Sequence, residues 1–185
     1  MKVNEIFYSL QGEGLFTGTA AVFVRLSGCN LTCDFCDTHH DEWQEMSERE
    51  IVDAVKEYPA THVVITGGEP TLQLTASLVE MLHAARRYVQ IETNGSVPVD
   101  AELVKLVDWI TCSPKYGMLP RIGRIDELKV VYDKDRIANV VAVESVTASY
   151  YCLQPCDRGE EGYNMVNLKS CIDYILAHPK WKLSL

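Results

Sequence analysis

The chain has 185 residues, enough for one domain with a sizeable core. Hydrophobic residues make up 47% and charged residues 23%, a globular composition that excludes a disordered chain. A net charge of −9 with no basic run excludes a surface built for nucleic acid or anionic membrane, because phosphate binding needs clustered Lys and Arg.

The N-terminus, Met1 to Phe7, lacks an apolar core of signal-peptide length, and no later apolar run has the length of a bilayer span. The expected location is the cytoplasm. Residues 20–26 form the first short, β-branched run and read as a strand. Directly after it comes Ser27-Gly28-Cys29, opening a loop that holds three of the seven cysteines within eight residues. Ser47-Glu48-Arg49-Glu50 is a capping box, starting a helix with Ile51, Val55 and Tyr58 on one face. A strand over 62–66 runs into Gly67-Gly68-Glu69-Pro70, and Leu74, Leu78, Met81, Leu82 and Ala85 mark the next helix. Strand 88–92 ends at Thr93-Asn94-Gly95 and is followed by a helix over 100–107. Strand 108–113 leads to Ser113-Pro114-Lys115. Strands 127–132 and 150–154 flank a further short helix over 133–143, and the second of them runs into Gln154-Pro155-Cys156-Asp157. A helix over 167–178, stopped by Pro179, and a strand over 181–185 close the chain.

Strand–helix alternation implies parallel strands joined by crossover helices. A full eight-stranded barrel typically takes about 250 residues, so this length favours an open, partial (β/α) barrel. The expectation is one α/β domain over 1–185, with six to seven mostly parallel strands and fewer, short helices. The turn residues and cysteines gather just after the apolar runs, and in such folds the loops at the strands' carboxyl ends converge on the active site.

Cys29-Asn30-Leu31-Thr32-Cys33-Asp34-Phe35-Cys36 has the spacing C-x3-C-x2-C. In a cytosolic protein such thiols read as metal ligands, not as a disulfide framework. An ordinary iron–sulfur cubane takes four thiolates. Three from one loop leave an iron without a protein ligand, which suits catalysis. The competing reading is a structural Cys3His zinc site completed by His39 or His40. Gly67 and Gly68 let backbone approach a ligand closely, and their carbonyls suit an ammonium group; a plain strand-end turn would use the same residues. Of the other cysteines, Cys112, Cys152, Cys156 and Cys171 read as buried small hydrophobes. Trp43, Trp109 and the tyrosines near the apolar runs read as core.

The cysteine loop with its aromatic before the last Cys, followed by Gly67-Gly68-Glu69-Pro70, resembles the radical S-adenosylmethionine superfamily. A closer resemblance runs through Glu5-Ile6-Phe7-Tyr8-Ser9-Leu10-Gln11-Gly12-Glu13-Gly14, Val22-Phe23-Val24-Arg25, Cys36-Asp37-Thr38, Ile91-Glu92-Thr93-Asn94-Gly95, Ser113-Pro114-Lys115 and Leu153-Gln154-Pro155. These segments are similar to the 7-carboxy-7-deazaguanine synthases over essentially the whole chain. That family converts 6-carboxy-5,6,7,8-tetrahydropterin to 7-carboxy-7-deazaguanine with loss of ammonia, on the route to queuosine. The resemblance implies a [4Fe–4S] cluster on Cys29, Cys33 and Cys36, with S-adenosylmethionine at its open iron. It implies hydrogen abstraction from C6 of the pterin, ring contraction, and return of the hydrogen.

By the same resemblance Leu10, Gln11, Gly12, Arg25 and Thr66 contact the pterin, and Arg25 suits its carboxylate through a charge-assisted pair. Glu13 suits the guanidine-like edge. Phe35, Cys36, Asp37, Gly68, Ser113, Pro114, Lys115, Gln154, Pro155, Cys156 and Asp157 line the S-adenosylmethionine site, and Thr38 is the protein ligand to Mg²⁺. A flavodoxin-like reductant and a homodimer are implied too. Family members usually run several residues past the last strand, with a Gln-Thr-His type segment and a terminal carboxylate at the substrate. The expectation is that such residues, or others, complete the site. A glycyl-radical activase would share the cysteine loop but lack Gln11-Gly12-Glu13-Gly14.

Overall fold

A computed structural model describes residues 1–36, 38 and 42–184. In chain order the elements are β1 (Lys2–Leu10), β2 (Ala20–Leu26), β3 (Gln44–Glu45), α1 (Glu48–Lys56) and β4 (His62–Gly67). A 3-10 turn (Pro70–Leu72), α2 (Ala76–Ala84), β5 (Tyr88–Thr93), α3 (Ala101–Leu106) and β6 (Trp109–Cys112) follow. The chain continues through β7 (Glu127–Tyr132), α4 (Ala138–Ala142), β8 (Tyr150–Pro155), α5 (Glu161–Ala177) and β9 (Lys182–Leu183). Among the described residues these strands build one sheet in the order β3-β1-β2-β4-β5-β6-β7-β8-β9. The seven strands from β2 through β4 to β9 pair in parallel, as the alternation predicts. The sheet does not close, since β3 and β9 end it.

Several sequence expectations need correcting. Residues 5–14 read as a family motif rather than an element, yet Lys2–Leu10 form β1, antiparallel to β2, and β3 pairs antiparallel with β1. The last helix starts at Glu161, not at 167, and no side chain caps its start, so the local signal is silent there. The helix expected over 133–143 is confined to Ala138–Ala142, because residues 133–136 are held in a turn by the Asp133 carboxylate and carbonyl. Trp43 is 45% exposed under the Lys2 ammonium and is not a core residue. The capping box holds: Ser47 Oγ accepts from the Glu50 N–H at 3.3 Å, and Glu50 accepts from the Ser47 N–H at 2.7 Å.

The two faces of the sheet differ in chemistry. On one face Val22, Val24, Leu26, Val63, Ile65, Val89, Ile91 and Ile110 pack under Ile51, Val55, Leu78, Leu82, Leu103 and Val104 of α1, α2 and α3. A second cluster joins Leu128, Val130 and Leu153 to Val140, Cys171 and Trp181. Each fully buried aliphatic side chain there stabilises by roughly 1.5–3 kcal/mol. Because successive strand residues alternate sides, the intervening positions point away from the helices. That second face holds a small group of Ala21, Phe23 and Val64 and elsewhere mixes polar side chains with Trp109, Val131 and Cys152. Across it Arg25 lies opposite Thr66, Glu92 opposite Thr111, Thr111 opposite Glu127, and Val131 opposite Gln154. Among the described residues no helix is long and apolar enough to cross a membrane.

Candidate active site

The loops at the carboxyl ends of β2, β4, β5, β6, β7 and β8 meet above this polar face. The cysteine loop is laced to the segment after β4 by backbone bonds and by Gln73 Nε2, which donates to Ser27 O at 2.7 Å. Gly68 N–H donates to Leu26 O at 3.0 Å, and Glu69 N–H donates to Gly28 O at 2.9 Å. A methyl at Gly68 would land on the Gly28 carbonyl, so only glycine permits the approach. Glu69 is fully buried and ties the next loop in. Its carboxylate accepts from Thr71 N–H at 3.1 Å, Thr71 Oγ1 at 2.6 Å, Thr93 Oγ1 at 2.6 Å and Asn94 N–H at 2.7 Å. Asn94 in turn donates through Nδ2 to Asn30 Oδ1 at 3.1 Å, reaching back to the cysteine loop.

Cys29 and Cys36 are exposed, Cys33 is partly buried, and none of the three is in a disulfide. Burial pushes the Cys33 thiol up, opposed by the Lys115 charge and a hydrogen bond from Tyr116. A cubane spreads its thiolates over separate irons, and three thiols carried on one laced loop fit that arrangement. The proposed zinc ligands His39 and His40, and Asp37 of the expected cofactor set, lie outside the described residues.

A narrow cleft adjoins the loop. It brings together Phe35, Pro114, Lys115 and Cys156, four of the residues expected at S-adenosylmethionine, and adds Asp133 and Arg136, which sequence reasoning missed. Lys115 Nζ donates to Ser113 Oγ at 2.9 Å and lies 5.7 Å from the Phe35 ring. Burial and the nearby Lys129 charge pull the Lys115 ammonium below its ordinary value. Cys156 is buried at the end of β8. Asp157 is not in this group: it is exposed and caps the turn into α5, accepting from Gly159 N–H at 2.7 Å and Asn164 Nδ2 at 2.5 Å.

An ionic bridge fastens the cysteine loop from outside. Arg136 grips Asp34 through two hydrogen bonds, Nη1 to Oδ1 at 3.1 Å and Nη2 to Oδ2 at 2.6 Å. That contact holds the Asp34 carboxyl down at about 2. Tyr116, whose φ of +54° is unusual for a residue with a side chain, accepts from Asp34 N–H at 2.9 Å and donates to Asp34 Oδ1 at 3.0 Å.

Below these loops lie the expected pterin residues. Gln11 is buried and donates through Nε2 to Glu92 Oε1 at 2.8 Å, and Thr66 Oγ1 donates to Glu92 Oε2 at 3.3 Å. Gly12 has open space around its Cα, while the Leu10 side chain is 62% exposed. Arg25 Nε donates to Glu5 Oε1 at 2.7 Å, and its Nη1 lies 3.5 Å from Thr38 Oγ1. Gln154 Nε2 donates to Glu13 Oε1 at 3.3 Å. Glu92, Glu127 and Lys129 were passed over as members of apolar runs. The signal was there: each is a charged residue beside apolar neighbours in a strand, which marks a polar second face.

Comparison with known proteins agrees with this geometry. The sequence model of the Radical SAM superfamily matches residues 23–117. A 7-carboxy-7-deazaguanine synthase of Bacteroides thetaiotaomicron is 48% identical over 184 residues, covering all of this chain and 93% of that protein. One from Burkholderia multivorans is 38% identical, covering 99% and 94% of the two chains. The crystal structure of QueE from Escherichia coli superposes with a TM-score of 0.79 at 28% identity, covering 98% of this chain and 92% of that one.

Proposed function

The chain belongs to the 7-carboxy-7-deazaguanine synthases of the radical S-adenosylmethionine superfamily, and from that premise we propose how its own residues serve the ring contraction of 6-carboxy-5,6,7,8-tetrahydropterin. The observation that carries the assignment of roles is the stacking of two layers, the cysteine and glycine loops above and a buried polar face below. Cys29, Cys33 and Cys36 would hold the [4Fe–4S] cluster, which with S-adenosylmethionine supplies the radical that starts the reaction. The backbone at Gly67 and Gly68 would receive the cofactor's ammonium group, with Glu69 anchored to Thr93 and Asn94 beside it. Phe35, Pro114, Lys115 and Cys156, which line one cleft beside the cysteine loop, take the adenosyl part. Ser113 orients Lys115, and Gln154 and Pro155 complete the wall at the end of β8. Asp157 supports the cofactor loop through its turn rather than by contact.

On the substrate side Gln11, Gly12 and Thr66 position the pterin, with Leu10 contributing backbone. Arg25 pairs with the substrate carboxylate, and Thr38, 3.5 Å from Arg25, offers its hydroxyl to Mg²⁺. Magnesium commonly takes few protein oxygens and fills its shell from substrate and water. These residues would orient the substrate and keep solvent from the reacting atoms. Supply of electrons by a flavodoxin-like protein, assembly as a homodimer, a single domain over 1–185 and a cytoplasmic location belong to the same reading.

The test is anaerobic reconstitution with iron and sulfide, reduction, and mass spectrometry of the product formed from the tetrahydropterin. 7-Carboxy-7-deazaguanine is the expected product, its yield falling when Mg²⁺ is withheld. A reduced, cluster-loaded protein that makes none rejects the reading, and a colourless protein without iron rejects the cluster itself.

A further inference from the structure

The polar face carries a cation that the roles above leave unused. Lys129 lies in the middle of β7 with its side chain 7% exposed. Its ammonium is ion-paired with Glu13 Oε2 and lies 3.8 Å from Glu92 Oε2. Burial opposes the charge, but the Glu92 and Glu13 carboxylates outweigh it and hold the group above its ordinary value. Lys129 is thus a fixed positive charge joining a loop residue to a strand residue on the far side of the sheet.

The consequence is a clamp on Glu13. One oxygen meets Lys129, and the other accepts from Gln154 Nε2 at 3.3 Å. Gln154 Oε1 accepts from Ser184 Oγ at 2.5 Å, and Ser184 Oγ accepts from Gly14 N–H at 2.9 Å, so the loop is gripped on both sides of Glu13. The Glu13 N–H donates to Gln11 Oε1 at 3.1 Å, linking it to an expected pterin contact. Even so, the Glu13 side chain stays 42% exposed. A carboxylate has about four acceptor sites, so two remain after these contacts.

A pterin's aminopyrimidinone edge offers a ring N–H and a 2-amino group side by side, the donor pair that a carboxylate accepts bidentately. We propose that Lys129 is a specificity-determining positioning residue, holding Glu13 so that its carboxylate selects ligands with that donor pair. This rests on the synthase reading, which supplies the pterin.

The experiment measures binding by cluster-loaded, unreduced protein of 6-carboxytetrahydropterin and of its 2-oxo counterpart, which puts an acceptor where the amino group stood. Wild type is expected to prefer the amino ligand by roughly a hundredfold, because a site built for donors leaves its acceptors unpaired on the analogue. Glu13→Gln, whose amide can donate to the 2-oxo group, narrows that ratio to about tenfold or less. Lys129→Met lowers affinity for the amino ligand by about tenfold or more and leaves the 2-oxo ligand within about twofold, and Lys129→Arg recovers part of the loss. Should Lys129→Met fail to fold, the Glu13→Gln ratio and Lys129→Arg decide. An unchanged ratio in Glu13→Gln, or equal loss of both ligands in the folded Lys129 variants, overturns the proposal. A wild type that neither binds the tetrahydropterin nor turns it over defeats the synthase reading instead.

Discussion

Glu69 shows what a single residue does here. Four donors from the loops after β4 and β5 end on its carboxylate in a fully buried position. Glu69→Ala leaves the Asn94 N–H and the Thr93 and Thr71 hydroxyls without their acceptor, so a loss of about 3 kcal/mol in denaturant unfolding is expected. Glu127 gives a pH signature. Burial raises its carboxyl above the ordinary 4.5, with the Leu15 N–H opposing. Between 4.5 and the raised folded value the folded protein holds the extra proton, so stability falls as pH climbs through that window. Glu127→Gln does not titrate. Its melting temperature relative to wild type should therefore climb with pH across the window and level off above it. A difference that shrinks with rising pH would show the carboxyl to be shifted the other way. Both residues were hard to read from sequence for different reasons. Glu69 sits in a motif whose glycines explained the turn, and Glu127 opens an apolar run while the N–H it accepts from is that of Leu15, 112 residues away.

At the scale of elements, the cysteine loop has little secondary structure of its own and takes its shape from neighbours. The Asp34–Arg136 contact joins it to the turn before α4, and Arg136 also lies 3.7 Å from Asp133, which Arg158 and Tyr163 hold in turn. Arg136→Ala should make the loaded protein lose iron to a chelator faster, seen as bleaching of its visible absorbance. Arg49→Ala, which breaks an exposed helix pair with Asp53, should bleach at the wild-type rate. Equal rates for the two variants would mean that the bridge does not steady the loop. Elements were legible where their signals were local. The Ser47–Glu50 box placed α1 because both hydrogen bonds lie within one turn. β1 escaped because most of its residues stay partly or fully exposed, and β3 because two residues carry no period. The bridge itself joins residues 102 apart, beyond any sequence pattern.

For the molecule as a whole, the helical side of the sheet supplies the stability. Ile65, fully buried at the centre of β4, should cost about 2–5 kcal/mol when cut to alanine. Leu176, 76% exposed on α5, should change stability by less than about 0.5 kcal/mol. Chemical melts of the two variants check the contrast, and comparable losses would mean that α5 is covered in solution. The parallel pairing was legible because strands alternating with helices need crossovers, and the loops gathered at one end as that topology requires. The charged lining was not legible, since which side of a strand faces a helix is settled only on folding.

That lining has a thermodynamic corollary. A basin walled by amides, hydroxyls and ions is hydrated before any guest arrives, and a heterocycle entering it exchanges one set of polar partners for another. Little hydrocarbon leaves water in that exchange, so its heat capacity change is small. Recognition then rests on whether each displaced water molecule is replaced by an equally good match, which penalises near-misses more than it rewards size.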